Sequence, residues 1–378
     1  MRIGIDARLW NESGVGRYIR NLIAELAKID KKNHYVLFFR SKEFTNILLP
    51  GKNFEKKLAD VQWHTIEEQL RLPSILNKEK LDLVHFPYFS VPIFYARPFV
   101  VTIHDLILHH FPTGQASTLF SPLYWAKLLG YKFIIAQAAK RSRKIITVSN
   151  ATKDEIIDHL GVSESKIVVT HEGIDEQILN SKSQILNKSK NSKFQIPNSK
   201  FFLYVGNAYP HKNLERLIEA FSRVKSHESR VKLVLVGKED FFYRRLKEKV
   251  QKIGLGESVV FYGEATDEEL IGLYKNALAL IMPSLMEGFG LPALEAMSNK
   301  CLVLASNIPA LREICGDAAL YFNPFDVGDL TEKLKAIHSN DTYHYSKNIQ
   351  KGIERAKMFS WEKMAKETLV VYESCIGL

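Results

Sequence analysis

Glu287 and Glu295 flank a sharp turn between an apolar run and a helical pattern. The run 277–282 is short, which predicts a buried strand, and Pro292 suits the first turn of a helix because its missing N–H is not needed there. Glu287 then lies in the loop and Glu295 on the helix. Carboxylates so placed could bind ligand hydroxyls or act as general acid and base, although a plain connection would also fit.

The backbone between the two glutamates suits an anion. Gly288 and Gly290 permit a tight path, so the N–H groups of Phe289, Gly290 and Leu291 can point outward at the positive end of the helix dipole. An anion at this turn and hydroxyl groups beside each glutamate would fit a ligand that has phosphate in the middle and polyols at both ends. A nucleotide sugar has that chemistry.

Three further strings lie at or after the ends of predicted strands. Gly14-Val15-Gly16 follows the first strand and opens a helix, so it is either a second anion site or a tight turn without a ligand. His104 ends another strand, where open α/β sheets carry catalytic groups, although a structural histidine would look the same. Lys212 stands near a helix start, where the dipole would repel it unless it neutralises a bound phosphate; a surface lysine needs no such explanation.

The composition predicts a globular protein of two domains. The chain has 378 residues, 46% of them hydrophobic and 25% charged, and this length exceeds what one core usually supports. No apolar run reaches the roughly 18 residues of a membrane span, and residues 1–6 resemble a strand rather than a signal peptide, so we expect a cytoplasmic protein. The sequence contains no Asp-x-Asp, His-Glu-x-x-His or Gly-x-Ser-x-Gly string, which argues against a metal-bridged diphosphate, zinc hydrolysis and a hydrolase nucleophile.

The net charge of +10 does not point to nucleic acid. Residues 180–200 carry five lysines and no acidic residue, and their Asn/Ser/Lys-rich composition is typical of a flexible linker. Basic and aromatic residues do not alternate in the way that stacks single-stranded bases. We therefore expect no nucleic-acid partner.

The linker divides the sequence into halves that each alternate short apolar runs with helical patterns, which predicts two Rossmann-like parallel sheets with a cleft between them. The predicted strands are Arg2–Asp6, Tyr35–Phe39, Leu83–Phe86, Phe99–Ile103, Lys144–Val148, Phe201–Val205, Lys232–Val236, Val259–Tyr262, Ala277–Met282 and Leu302–Ala305. Helices are predicted over Val15–Ile29, Asn213–Lys225 and Asp267–Asn276, and a final helix over 360–372.

Taken together, these strings resemble the retaining glycosyltransferases of the GT-B fold, in the group 1 or GT4-type family, over nearly the whole chain. The most specific string is Pro-Ser-x-x-Glu-Gly-Phe-Gly-Leu-Pro-x-Leu-Glu-Ala-Met, which contains Glu287 and Glu295. The other matching strings, in order, are Gly14-Val15-Gly16, Thr102-Ile103-His104-Asp105, Val148-Ser149, and Tyr204-Val205-Gly206 with Pro210-x-Lys212-Asn213.

The resemblance implies domains and residue roles. It implies an acceptor-side domain over 1–178 with the helix 360–378 crossing back onto it, a linker over 179–200, and a donor domain over 201–359. Catalysis would involve His104 near the transferred sugar, Lys212 at the diphosphate, and Glu287 at the sugar hydroxyls. The donor-binding set would be Gly14, Val15, Gly16, Gly206, Asn207, His211, Lys212, Gly263, Glu264, Glu287, Gly288, Phe289, Gly290, Leu291 and Glu295, with Glu295 at the ribose and Gly263 and Glu264 at the base.

Three positions depart from the family pattern. Asn207 stands where an arginine commonly helps the lysine to bind the diphosphate, His211 stands where arginine is frequent, and Ser13 replaces a frequent glycine. We expect leaving-group stabilisation to depend more on Lys212 and helix N-termini, with Arg17 or a protonated His211 as substitutes for the missing arginine.

The resemblance predicts transfer of a hexose from a GDP- or UDP-linked sugar to a hydroxyl of a glycan or lipid-linked saccharide. We expect retention of configuration, with no metal and no cofactor beyond the nucleotide-sugar co-substrate, and mannosyltransferase-like strings favour GDP-mannose. The alternatives are a sugar-nucleotide epimerase or hydrolase on the same fold, and a non-catalytic nucleotide-sugar-binding scaffold. The aromatic-rich stretch 119–139, followed by basic residues 140–144, could rest on an anionic membrane at the inner face of the cell membrane or be a buried helix with a basic end.

Overall fold

Parallel strands alternate with helices in each of two units. The computed structural model describes residues 1–112, 121–174, 200–225, 231–340 and 342–375. The first unit consists of residues 1–173 and 360–378, and the second of residues 174–359, within these described ranges. Most of the segment predicted as a linker, residues 179–199, lies outside the described residues.

The first unit is built on a parallel sheet of seven described strands in the order β3-β2-β1-β4-β5-β6-β7. Its strands are β1 (Arg2–Asp6), β2 (His34–Phe39), β3 (Phe54–Leu58), β4 (Leu83–Phe86), β5 (Phe99–Ile103), β6 (Ile145–Thr147) and β7 (Ile167–Val169). The inner strands are almost continuously apolar because helices cover both faces of such a sheet.

The second unit is built on a parallel sheet of six described strands in the order β10-β9-β8-β11-β12-β13. These are β8 (Phe201–Val205), β9 (Lys232–Val236), β10 (Val259–Gly263), β11 (Ala279–Met282), β12 (Val303–Ser306) and β13 (Leu320–Phe322). A buried cluster that includes Phe202, Leu233 and Ile281 forms its core.

The helices of the first unit follow its strands and end in a helix from the far end of the chain. They are α1 (Gly14–Ile29), α2 (Ser41–Asn46), α3 (Ile66–Lys78), α4 (Ile107–His110), α5 (Ser121–Arg141), α6 (Asn150–Leu160) and α14 (Trp361–Ser374). The last of these, α14, packs against α1.

The helices of the second unit are α7 (Leu214–Lys225), α8 (Phe241–Lys252), α9 (Asp267–Asn276), α10 (Leu291–Ser298), α11 (Pro309–Cys315), α12 (Val327–Ser339) and α13 (Ser346–Ala356). Among the described residues of both units, no helix is long and apolar enough to cross a membrane.

All ten predicted strands are present, with ends within two residues of the prediction. The sequence analysis missed β3, β7 and β13, and each of these is an edge strand. Edge strands are commonly short or charged, and β3 reads Phe-Glu-Lys-Lys-Leu while β7 and β13 have three residues each. The charges of β3 interrupt its apolar pattern, and the apolar runs of β7 and β13 are too short to predict a strand.

Each sheet reverses its strand order at one point, next to its central strand. In the first sheet this point lies between β1 and β4, and in the second it lies between β8 and β11. The carboxyl ends of the strands at a reversal leave a crevice that commonly binds ligands in open α/β sheets. The loops after β8 and β11 contain Lys212 and Glu287, so the second sheet positions both residues at its reversal.

Candidate active site

Lys212 and Glu287 form a partly buried ion pair in the second unit. The Lys212 Nζ atom lies 2.7 Å from Oε1 and 2.9 Å from Oε2 of Glu287, and the Ser284 hydroxyl donates to the same Oε1 at 2.6 Å. The Lys212 side chain is 17% exposed and that of Glu287 is 9% exposed. The sequence analysis expected both residues at a donor site but did not expect them to be paired.

The charge of Glu287 is maintained by its partners. Burial alone would raise the pKa of this carboxyl, but the Lys212 ammonium and the hydrogen bonds from Lys212 and Ser284 hold the pKa below its ordinary value. Glu287 is therefore a carboxylate at neutral pH, and an acceptor for hydroxyl groups.

Asn213 fixes the loop that carries Lys212. Its φ of +59° ends the short 3-10 turn Pro210–Lys212, and its amide donates to the carbonyls of Pro283 at 3.0 Å and Pro324 at 2.9 Å. The backbone N–H of Leu285 also donates to the carbonyl of His211 at 2.7 Å. These contacts join the loops after β8 and β11, so Asn213 in the Pro-x-Lys-Asn string has a structural role.

Glu295 occupies a different environment from Glu287. It lies on α10, is 2% exposed, and accepts a hydrogen bond of 2.8 Å from the Tyr274 hydroxyl. Gly290 precedes α10 with a φ of +107°, a left-handed conformation that favours glycine. Gly288, Phe289 and Leu291 lie around this turn; the Phe289 side chain is buried.

The surroundings of His211 bear on one proposed substitute for the missing arginine. His211 is buried, and burial together with the nearby Lys212 charge lowers its pKa to about 4, so its imidazole is neutral at neutral pH when no donor is bound. The role of a protonated His211 at a bound diphosphate stays a prediction. Asn207 lies in the turn after β8, where its carbonyl accepts from Tyr204 at 2.5 Å and its side chain accepts from the Tyr209 N–H at 3.3 Å.

The remaining second-unit residues end strands of the sheet. Gly206 follows β8, and its carbonyl accepts a hydrogen bond of 2.8 Å from the Tyr243 hydroxyl. Gly263 ends β10 and Glu264 is exposed directly after it. Because β9 separates β10 from β8, these two residues lie farther along the sheet than the Lys212 loop.

In the first unit, Gly14, Val15 and Gly16 form the first turn of α1, and Ser13 precedes them without a side-chain cap. A methyl group on Gly16 would lie 2.5 Å from the Trp10 carbonyl oxygen, so the fold itself requires this glycine. A methyl group on Gly14 would meet nothing within 4 Å. The described fold gives no packing reason for glycine at position 14.

His104 is held between two acceptors at the end of β5. Its Nε2 atom lies 3.0 Å from the Pro87 carbonyl oxygen, and its Nδ1 atom lies 3.4 Å from Glu172 Oε1. Burial lowers the pKa of His104, but the hydrogen bond and charge of Glu172, with the Pro87 carbonyl, raise it above its ordinary value. Two acceptors on opposite ring nitrogens favour the imidazolium form.

Other rings surround His104. Tyr18 meets it edge-on with 4.9 Å between ring centroids. The nearby His85 is hydrogen-bonded through both ring nitrogens. Its Nδ1 atom lies 2.6 Å from the Tyr372 hydroxyl, and its Nε2 atom lies 2.7 Å from the Thr102 hydroxyl. Burial, and then the His104 charge, lowers the pKa of His85 to about 3, so His85 is neutral.

Sequence reasoning missed Glu172. It follows β7, one of the strands that the prediction also missed, and it is 6% exposed. A polar residue after a strand was the signal that pointed to His104, and Glu172 stands three residues after the end of β7.

Two units with parallel sheets, each carrying polar groups beyond the carboxyl ends of its strands, correspond to the GT-B fold of glycosyltransferases. The sucrose-phosphate synthase of Thermosynechococcus elongatus superposes with a TM-score of 0.79 at 18% identity, covering 99% of this chain and 98% of that one. Anabaena HepE, solved in complex with UDP and glucose, superposes with a TM-score of 0.75 at 17% identity, covering 99% of this chain and all of that one (100%). These likenesses show a shared fold.

Sequence comparison defines the family. Residues 186–356 match Glycosyl transferases group 1, and residues 13–178 match Glycosyltransferase Family 4. The chain belongs to this family of glycosyltransferases, so it is an enzyme whose substrates are a nucleotide-sugar donor and a glycan acceptor.

Two curated relatives are mannosyltransferases. The O-antigen chain mannosyltransferase RfbU of Salmonella typhimurium is 27% identical over 281 residues, which is 74% of this chain and 72% of the relative. The O-antigen chain mannosyltransferase B of Escherichia coli is 26% identical over 382 aligned positions, covering 96% of each chain.

Proposed function

We propose that the protein is a retaining mannosyltransferase that moves mannose from GDP-mannose to a hydroxyl of a glycan or lipid-linked saccharide. The observation that carries this proposal is the Lys212–Glu287 pair at the strand-order reversal of the second sheet. The names of the two mannosyltransferase relatives support the choice of sugar.

Lys212 would stabilise the departing nucleotide. Cleavage of the sugar–phosphate bond builds negative charge on the β-phosphate, and a positioned cation lowers the barrier to that step. An ammonium group has three N–H donors, and the two Glu287 oxygens are its hydrogen-bond partners among the described residues. The third donor can therefore reach a phosphate oxygen while Glu287 keeps the side chain in place.

Glu287 would bind hydroxyl groups of the donor sugar rather than attack its anomeric carbon. Both of its oxygens already accept hydrogen bonds from Lys212, and Ser284 adds a third. Those bonds stabilise the carboxylate and reduce its nucleophilicity, as the pKa below its ordinary value also indicates. In the reaction we propose, the acceptor hydroxyl attacks from the face that the nucleotide leaves, and the departing phosphate accepts the proton.

His104 would contact the transferred sugar. Its hydrogen bond from Nδ1 to Glu172 is long, at 3.4 Å compared with the 2.7–3.2 Å typical of an N–H···O hydrogen bond. That nitrogen is the one we expect a sugar hydroxyl to approach, while the bond to the Pro87 carbonyl fixes the ring through Nε2.

We propose that no metal ion is needed at the diphosphate. Lys212 supplies a cation, Glu295 with Tyr274 forms a polar pair for the ribose, and the sequence has no Asp-x-Asp string to bridge a metal. The open space beside Gly14 and the first turn of α1 provide a second surface for an anion.

We further propose that α5 rests on the anionic inner face of the cell membrane. Trp125, Leu129 and Phe133 are 52%, 68% and 54% exposed, and their spacing of four residues places them on one face. At about 100° per residue, the exposed Lys132 and Lys140 lie on that same face. An apolar stripe with cations beside it matches an anionic lipid surface, while Ile135 and its buried neighbours hold the opposite face in the core.

A thermal-shift screen tests the donor. At a hundred times its dissociation constant, a ligand adds about 2.7 kcal/mol of stability, so GDP and GDP-mannose should raise the melting temperature clearly more than UDP, UDP-glucose or ADP-glucose. Incubation with GDP-mannose alone is the companion experiment. Rapid consumption without an acceptor would indicate an epimerase or hydrolase, and tight binding without turnover on any acceptor would indicate a binding scaffold.

A further inference from the structure

His110, Glu155 and His159 converge on one point at the surface of the first unit. Glu155 and His159 are four residues apart on α6, and His110 is the last residue of α4. One ligand atom from each side chain lies within 4.8 Å of the other two. His110 Nε2 hydrogen-bonds to Glu155 Oε2, and His159 Nε2 lies 3.3 Å from that same oxygen.

We propose that these three side chains bind a divalent transition-metal ion of the Zn²⁺ class. Two imidazole nitrogens and one carboxylate oxygen are a ligand set that Zn²⁺ uses, with a fourth position left for water. Metal–ligand distances of about 2.0–2.2 Å place tetrahedral ligand atoms about 3.3 Å apart. The His159–Glu155 pair already has that spacing, and the hydrogen-bonded His110–Glu155 pair needs only to separate slightly as the ion replaces its hydrogen bond. Residues four apart on a helix face the same side, which allows Glu155 and His159 to bind one ion.

The surroundings allow an ion to enter. The side chains of His110, Glu155 and His159 are 35%, 31% and 39% exposed. The neighbouring His109 ring lies 5.8 Å from the His159 ring, and its Nδ1 atom lies 3.0 Å from the Tyr131 hydroxyl.

A bound ion would connect α4 to α6 near His104. α4 begins three residues after His104, and the Thr152 hydroxyl of α6 donates to the His104 carbonyl at 3.3 Å. The ion would add a second connection between the His104 segment and α6. This site belongs to the first unit, and the inference does not depend on the proposed reaction.

The proposal is tested by Co²⁺ titration of the full chain, without a tag and after dialysis against EDTA. Competition with Zn²⁺ and calorimetry complete the test. We expect one equivalent of Co²⁺ to bind with a visible ligand-field spectrum, Zn²⁺ to displace it, and Zn²⁺ to raise the melting temperature. The variants His110→Gln, Glu155→Gln and His159→Gln should each lose about tenfold or more in affinity.

His34→Gln is the matched control, because His34 Nε2 lies 3.7 Å from Glu55 in a histidine–glutamate pair without a second histidine among the described residues nearby. It should bind Co²⁺ like the wild type. Circular dichroism of each metal-free variant checks that the fold is kept. Non-saturable Co²⁺ binding by the wild type, or equal loss of affinity in His34→Gln, would overturn the proposal.

Discussion

Lys212 Nζ contacts both carboxylate oxygens of Glu287, at 2.7 and 2.9 Å, across 75 residues of sequence. The loops that carry the two residues follow adjacent strands, β8 and β11, at the point where the strand order of the second sheet reverses. The topology therefore places a cation and an anion together where an α/β sheet commonly binds ligands. This pair is the centre of the proposed donor site.

Replacing Lys212 should slow sugar transfer strongly. Lys212→Gln removes the cation beside the departing phosphate, and loss of one such group typically lowers kcat by about a hundredfold to a thousandfold. Steady-state transfer from GDP-mannose measures the effect. Lys249→Gln is the control, because Lys249 pairs with Glu215 on the exposed surface; near-normal turnover by Lys212→Gln would refute the assignment.

Replacing Glu287 should change how stability depends on pH. The folded-state pKa of Glu287 is depressed, so its contribution to stability is present above the unfolded-state pKa of about 4.3 and is lost as pH falls through the folded value. At pH 7, Glu287→Gln should reduce the free energy of opening of the second unit by about 3 kcal/mol, because it leaves the Lys212 charge poorly paired.

Amide hydrogen exchange measures the free energy of opening of the second unit in the wild type and in Glu287→Gln. The difference between the two proteins should become smaller below about pH 4. Glu219→Gln serves as the control, since Glu219 pairs with Arg223 at an exposed position. A deficit in Glu287→Gln that stays constant from pH 7 to pH 3.5 would contradict the pairing.

Glu172 should control the charge of His104. Its hydrogen bond and charge raise the pKa of His104, so this pairing stabilises the fold below the ordinary histidine pKa of about 6.5 and stops doing so as pH rises through the folded value. Glu172→Gln should lower the pKa of His104 and move the alkaline limb of the transfer rate to lower pH. Histidine NMR titration and a pH–rate profile measure both effects, and Glu172→Asp should restore part of each; an unmoved His104 pKa would show that Glu172 has no such role.

Substitutions of the two glycines in the first turn of α1 should have different effects, one on stability and the other on donor affinity. Gly16→Ala forces a methyl group against the Trp10 carbonyl, which should cost about 1–3 kcal/mol of stability. Gly14→Ala meets nothing within 4 Å, so its melting temperature should match the wild type while its affinity for GDP-mannose falls. Thermal melts and calorimetry decide this, and unchanged affinity in Gly14→Ala would remove that residue from the donor site.

Vesicle co-sedimentation tests the α5 surface. Leu129→Glu and Phe133→Glu should reduce binding to phosphatidylglycerol vesicles several-fold, and added salt should weaken binding by the wild type. Leu48→Glu is the control, because Leu48 is 90% exposed and lies outside α5. Equal binding to neutral phosphatidylcholine vesicles, or no effect of the α5 variants, would exclude an anionic membrane as the partner of this face.

The sequence predicts the inner strands because each is an almost continuous apolar run, as in Phe-Val-Val-Thr-Ile of β5. It does not predict β7, whose short edge position leaves little pattern, and Glu172 was missed with it. Residue types identify Lys212 and Glu287 as polar groups after strands, but their contact depends on which strands are neighbours. Strand order is a property of the whole sheet, so local patterns do not give the ion pair.

The most direct test of the account is sugar transfer followed by NMR. Wild-type protein is incubated with GDP-[13C]mannose, which is α-linked, and a lipid-linked saccharide acceptor, and the anomeric carbon of the product is observed. We predict an acceptor-dependent α-mannoside, with Lys212→Gln forming it far more slowly. A β-linked product, or transfer from UDP-sugars but not from GDP-mannose, would contradict the proposed reaction.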